Sequence, residues 1–102
     1  MIDDLKALFD IVESIWKKRR VSEAEKTRDK VLIAIYKLGA DGRQAVEAER
    51  LEKEADFSKV DIIRSIETAK AKDWIIDAST LGVIAWALKP EADYYVRGLL
   101  GE

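Results

Sequence analysis

The stretch that decides the fold reads KVDIIRSIETAKAK (59–72), WIIDA (74–78), STLG (79–82) and VIAWAL (83–88). Its apolar spacing changes once. At about 100° per residue, Ile62, Ile66 and Ala69 fall on one side of 59–72, with Ile63 at the edge. Val60, Asp61, Arg64, Thr68 and Lys72 fall on the opposite side. This is the pattern of a helix with one buried face. From Trp74 the period becomes two, and Ser79 to Gly82 separates two such runs, which predicts a β-hairpin. Ile84, Trp86 and Leu88 share one strand face and are expected in the core.

Towards the N-terminus, Ser58 is placed to cap helix 59–72 by accepting from an amide of its first turn. Residues 43–55 predict a shorter helix with a thin apolar face of Ala45, Ala48, Leu51 and Ala55. Ala40-Asp41-Gly42 is a turn, and Gly39 stands where a left-handed helix cap belongs. Upstream, Val31, Leu32, Ile35, Tyr36 and Leu38 give a wide buried face to a helix ending near Leu38. Ser22-Glu23-Ala24-Glu25 starts it as a capping box. A first helix over about 2–20 carries Leu5, Leu8, Phe9, Val12, Ile15 and Trp16 at three- and four-residue steps. Asp3 and Asp4 suit its positive end, and Lys17 to Arg20 its negative end. After the hairpin, Pro90 opens a last helix whose apolar contacts are expected from Tyr94, Tyr95, Leu99 and Leu100. The fold class is mainly α with a small β-hairpin, α+β. It divides into an N-terminal amphipathic helix, 1–21, and a domain over 22–102.

Composition narrows the chemistry. The 102 residues suffice for one core, and 37% of them are charged, above the usual quarter. No Cys, His or Asn occurs, and Gln44 is the one glutamine. Disulfides, thiolate nucleophiles, zinc–cysteine sites and imidazole acid–base chemistry are therefore excluded. Abundant charge with few amide residues is the compositional lean of hyperthermophile proteins. No apolar run spans a bilayer and the acidic start is unlike a signal peptide, so a cytoplasmic, non-membrane protein is expected. The carboxylates Glu47, Glu49, Glu52 and Glu54 spread around one helix, and no serine has a histidine partner. Neither an enzyme nor a bound cofactor or metal is expected.

The succession from Leu51 through Trp74-Ile75, the hairpin and Leu88-Lys89-Pro90-Glu91-Ala92 resembles the winged helix-turn-helix regulators of archaea and bacteria. The resemblance covers about 26–100. It departs from the family pattern at Asp73 and Ala92, where glycines are usual. It implies a winged helix with an additional N-terminal helix, acting as a transcriptional regulator that reads duplex DNA through helix 59–72. Arg64 would then contact a base edge, and Ser58, Lys59 and Lys72 would hold phosphates. Thr68 lies on the same face, and Ser79 and Thr80 form a wing tip offering hydroxyls and amides.

Other readings stay open. Net charge is −2, the wing tip has no cation, and Asp61 and Glu67 lie on or near the DNA-facing side. These features favour an interaction module docking protein. A continuous positive face over 59–72 and the wing would support DNA, and an apolar or acidic face a protein partner. Exposed aromatic rings would instead support single-stranded nucleic acid. The stripe of the first helix either pairs in a homodimer through residues 2–20, the preferred expectation, or packs on its own domain. Lys17 to Arg20 is expected to complement a helix end rather than bind phosphate. Trp74 and Trp86 are expected as core anchors rather than pocket walls.

Overall fold

The structure, a computed structural model, describes residues 3–101, with the backbone alone of Asp3. Ile2, expected to begin the first helix, lies outside the described residues. The described elements are α1 (Asp3–Trp16), α2 (Glu23–Leu38), β1 (Val46–Glu47), α3 (Ala48–Ala55), α4 (Lys59–Ala71), β2 (Ile75–Asp77), β3 (Ala85–Leu88) and α5 (Pro90–Leu100). The chain is mainly helical with a small three-stranded antiparallel sheet in the order β1-β3-β2, an α+β arrangement.

Helix α2 is the axis of the fold. The run Val31 to Tyr36 is apolar on every side, and all six residues are buried. A helix apolar all round must be surrounded, and α1, α3, α4, α5 and β3 surround it. Its start is fixed by Ser22, whose Oγ accepts from the Glu25 amide at 3.2 Å.

The apolar stripe of α1 divides in two. Leu5, Phe9, Val12 and Trp16 are buried, and the Phe9 ring lies 6.0 Å from that of Phe57. The chain thus covers with its own residues most of the face on which the homodimer expectation rested. Ile11 and Ile15 stay 50% and 37% exposed. Helix α1 also ends at Trp16, and Lys17 to Arg20 lie in and after the turn that closes it.

Two expectations fail between α2 and α3. Gly39 is not left-handed: its φ is −91°, and the positive φ angles belong to Ala40, Asp41 and Gly42. Gly39 is required by close approach, because a Cβ there would stand 2.3 Å from the Gln44 carbonyl oxygen. The reversal that follows leaves Val46–Glu47 extended, not helical. Val46 pairs with Trp86 and Glu47 with Ala85, so the expected two-stranded hairpin becomes a three-stranded sheet. Helix α3 therefore starts at Ala48, and Ala45 is exposed rather than apolar packing.

In the hairpin, Ile75 pairs with Leu88 and Asp77 with Trp86. Trp86 and Leu88 are buried as expected, but Ile84 is 57% exposed. It keeps the side-chain direction of Trp86, yet lies beyond the end of the strand that the helices cover. In α5 the contacts to the core come from Ala92 and Val96, while Tyr94 stands in solvent. Tyr95, Leu99 and Leu100 pack partly against the core.

A charged group is buried where α2 meets α5. The Arg28 guanidinium donates to Asp29 Oδ1 through Nε at 3.2 Å and Nη2 at 3.0 Å. The Tyr95 hydroxyl donates to Asp29 Oδ2 at 3.0 Å. Arg28 also lies 5.4 Å from the Trp74 ring centroid, and Trp74 packs on Tyr95 at 4.7 Å. Burial pushes the Asp29 carboxyl up in pKa, against the opposing pull of Arg28 and Tyr95. Burial, followed by the charge of Asp29, also raises the Tyr95 hydroxyl, which keeps it a proton donor.

Candidate functional site

Helix α4 and the hairpin form the candidate face. Ser58 sets the start of α4: its φ and ψ are −72° and 155°, and its Oγ accepts from the Asp61 amide at 3.1 Å. Asp56, with φ 58°, ends α3 in the left-handed region, so three residues turn one helix into the next. Ile62, Ser65, Ile66 and Ala69 are held against the core. The opposite side, with Val60, Arg64, Glu67 and Ala71, faces solvent.

The residues expected to bind DNA do not converge. Lys59 lies on the hairpin side of α4, lining a groove of about 270 Å³ with Ala48, Glu52, Ile62, Ile63, Ile84 and Trp86. Arg64 and Thr68 lie on the α2 side, in a second shallow cleft with Glu23, Thr27 and Asp61. Lys72 caps the end of α4 and places its ammonium 5.3 Å from the Trp74 ring centroid, a cation–π contact. Three hydroxyls are already engaged. Ser58 caps its helix, and Thr68 Oγ1 donates to the Arg64 carbonyl at 2.9 Å. Ser79 Oγ accepts from the Ala85 amide at 3.1 Å. Thr80 sits at the tip, its backbone bridged to Val83.

The charges of this face cancel. Lys59, Arg64, Lys70 and Lys72 are matched by Asp61, Glu67, Asp73 and Asp77. Lys70 approaches Asp77 at 3.9 Å, while Lys59 and Arg64 have no ion-pair partner among the described residues. Hydrogen bonds from the Ser79 hydroxyl and amide hold the Asp77 carboxyl below the usual carboxylate range, with Lys70 adding to them. Asp77 therefore stays anionic beside the hairpin at neutral pH.

Apolar side chains are the distinguishing feature. Val60, Ile63, Ile76, Leu81, Val83 and Ile84 are six of the nine exposed large hydrophobic residues among those described. Ile76 lies on the sheet face away from the core, while Ile63 and Ile84 line the groove itself. Exposed apolar residues scattered singly need no cause, and of these six only Ile63 and Ile84 are brought together, in the groove over Ile62 and Trp86. Sequence reading missed this pair. Its signal was Ile63 at the edge of the apolar arc of α4 and Ile84 at the far end of a strand.

Trp86 closes the floor of this groove and is itself buried, whereas Trp74 belongs to the Arg28 group and does not line the groove. Among the described residues Tyr94 is the one aromatic ring standing largely in solvent. Comparison with protein-family models, curated proteins and solved structures finds no match for this chain.

Proposed function

We propose that this chain is a winged-helix interaction module whose α4–hairpin face docks an amphipathic segment of a protein partner. The winged-helix reading is supported by the succession α2, β1, α3, α4, β2, β3, by the three-residue turn between α3 and α4, and by the strand order β1-β3-β2. Fold alone does not choose the ligand. The docking reading is carried by one observation: Ile63 and Ile84, each about half exposed, line one groove floored by Ile62 and Trp86. Lys59 and Glu52 stand on its rim, so a partner helix with apolar residues at three- and four-residue steps meets one charge of each sign.

Magnitude weighs against duplex DNA. Proteins that grip DNA neutralise on the order of 6–10 phosphates. Apart from Lys72, which lies against the Trp74 ring, this face offers two cations without an ion-pair partner among the described residues, Lys59 and Arg64, on different sides of one helix. Those two residues are nevertheless what favours the second reading, a transcriptional regulator reading duplex DNA through α4. An α1-mediated homodimer is compatible with either, since no described α1 side chain lines the groove.

The test is capture on the immobilised chain, comparing wild type with Ile63→Ser/Ile84→Ser and with Arg64→Glu. The docking reading expects a captured protein that binds again when purified, is lost with the double substitution and is retained by Arg64→Glu. Capture insensitive to Ile63 and Ile84 would overturn it.

A further inference from the structure

We propose that the outward stripe of α1 pairs antiparallel with the same stripe of a second copy of this chain. Leu5, Phe9, Val12 and Trp16 are consumed by the core. Leu8, Ile11 and Ile15 form a second line beside them, at the three-then-four spacing of a helix–helix seam. Leu8 is half-buried, and Ile11 and Ile15 are among the exposed large hydrophobic residues.

The charges at the two ends of this stripe identify the occupant. Asp4 precedes it; Lys18 and Arg19 follow it, in the turn closing α1. None of the three has an ion-pair partner among the described residues. Asp4 lies seven residues before Ile11, about 10 Å along the axis at 1.5 Å per residue, and Lys18 and Arg19 lie at the other end, in the turn just past Trp16. A two-fold axis at Ile11 therefore brings Asp4 against Lys18 and Arg19 of the second copy, and repeats the pairing by symmetry. A parallel arrangement would stack like charges at both ends. The stripe is complementary to itself in one orientation.

The seam is short. Leu8, Ile11 and Ile15 are all the apolar contact it offers from each copy, so a weak dimer is expected, with exchange between monomer and dimer over the micromolar range. The pairing leaves the α4–hairpin groove free on both copies, and it does not depend on what that groove binds.

Sedimentation velocity from roughly 1 to 300 µM tests it. Wild type is expected to move from monomer to dimer mass, and Ile11→Glu to stay monomeric at every concentration. Asp4→Lys is expected to weaken the dimer at least about tenfold, and Asp4→Lys with Lys18→Glu and Arg19→Glu to restore it. Far-ultraviolet circular dichroism and a thermal melt confirm that each variant is folded. A wild type that is monomeric throughout overturns the proposal. So does a dimer that survives Ile11→Glu and is lost with Ile63→Glu, which would assign the pairing to the α4–hairpin face. Failure of the combined charge reversal to restore dimerisation in a folded variant overturns the antiparallel register.

Discussion

The junction of α2 with α5 and the face of α4 with the hairpin depart from the usual separation of polar and apolar residues in opposite directions. At the first, an arginine and an aspartate are buried and satisfied by each other and by Tyr95. At the second, Ile63 and Ile84 stand half in water with nothing over them. Burying a charge costs free energy that only good partners offset, so such a group persists where it fixes geometry. Leaving isoleucines exposed forgoes stabilisation, so such a face persists where something else covers it. The first region is read as internal structure and the second as an interface.

The greatest loss is expected at the buried group. Asp29→Ala leaves the Arg28 guanidinium buried without its counter-charge and should cost about 3 kcal/mol of unfolding free energy in a urea titration. A loss near zero would mean that Arg28 reaches water and that the group is not structural. Tyr95→Phe is a finer probe, because it removes one donor to Asp29 and leaves the ring stacked on Trp74. It should cost about 1 kcal/mol, by the same titration.

How far each region could be read from sequence follows the same division. Periodicity is local, so α2, α4, the Ser58 cap and the hairpin are legible in the order of residues. The Arg28–Asp29 pair is adjacent in sequence, but its burial follows from α5 folding back over α2, which periodicity does not encode. Strand β1 is two residues long and exists because it pairs with β3, some 40 residues on. The position of Ile84 shows the same limit. Alternation tells which way its side chain points, and only the packing tells that the helices stop short of it. The hydroxyls of Thr68 and Ser79 could be listed as donors from sequence, but not that the chain already uses them.

A smaller effect separates surface charge from buried charge. The side-chain hydrogen bond from Lys30 lowers the Glu13 carboxyl in pKa, against a slight desolvation by burial. A carboxyl depressed in the folded state contributes stability above its unfolded pKa and loses it as pH falls through the folded one. Stability should therefore decline on acidification through the carboxylate range. Glu13→Gln should flatten that decline while changing stability at neutral pH by no more than about 0.5 kcal/mol. Thermal melts at stepped pH would show it, and an unchanged slope would remove Glu13 from the account.

The α4–hairpin face is proposed as an apolar docking surface and not a phosphate grip. The most direct measurement is fluorescence anisotropy of a labelled mixed-sequence duplex, titrated with wild type and Arg64→Glu at several salt concentrations. Weak binding is expected even at low salt, with a shallow slope reflecting about two phosphates, and little change on substitution. A steep fall of a strong affinity with salt, abolished by Arg64→Glu, would contradict it and assign the face to DNA.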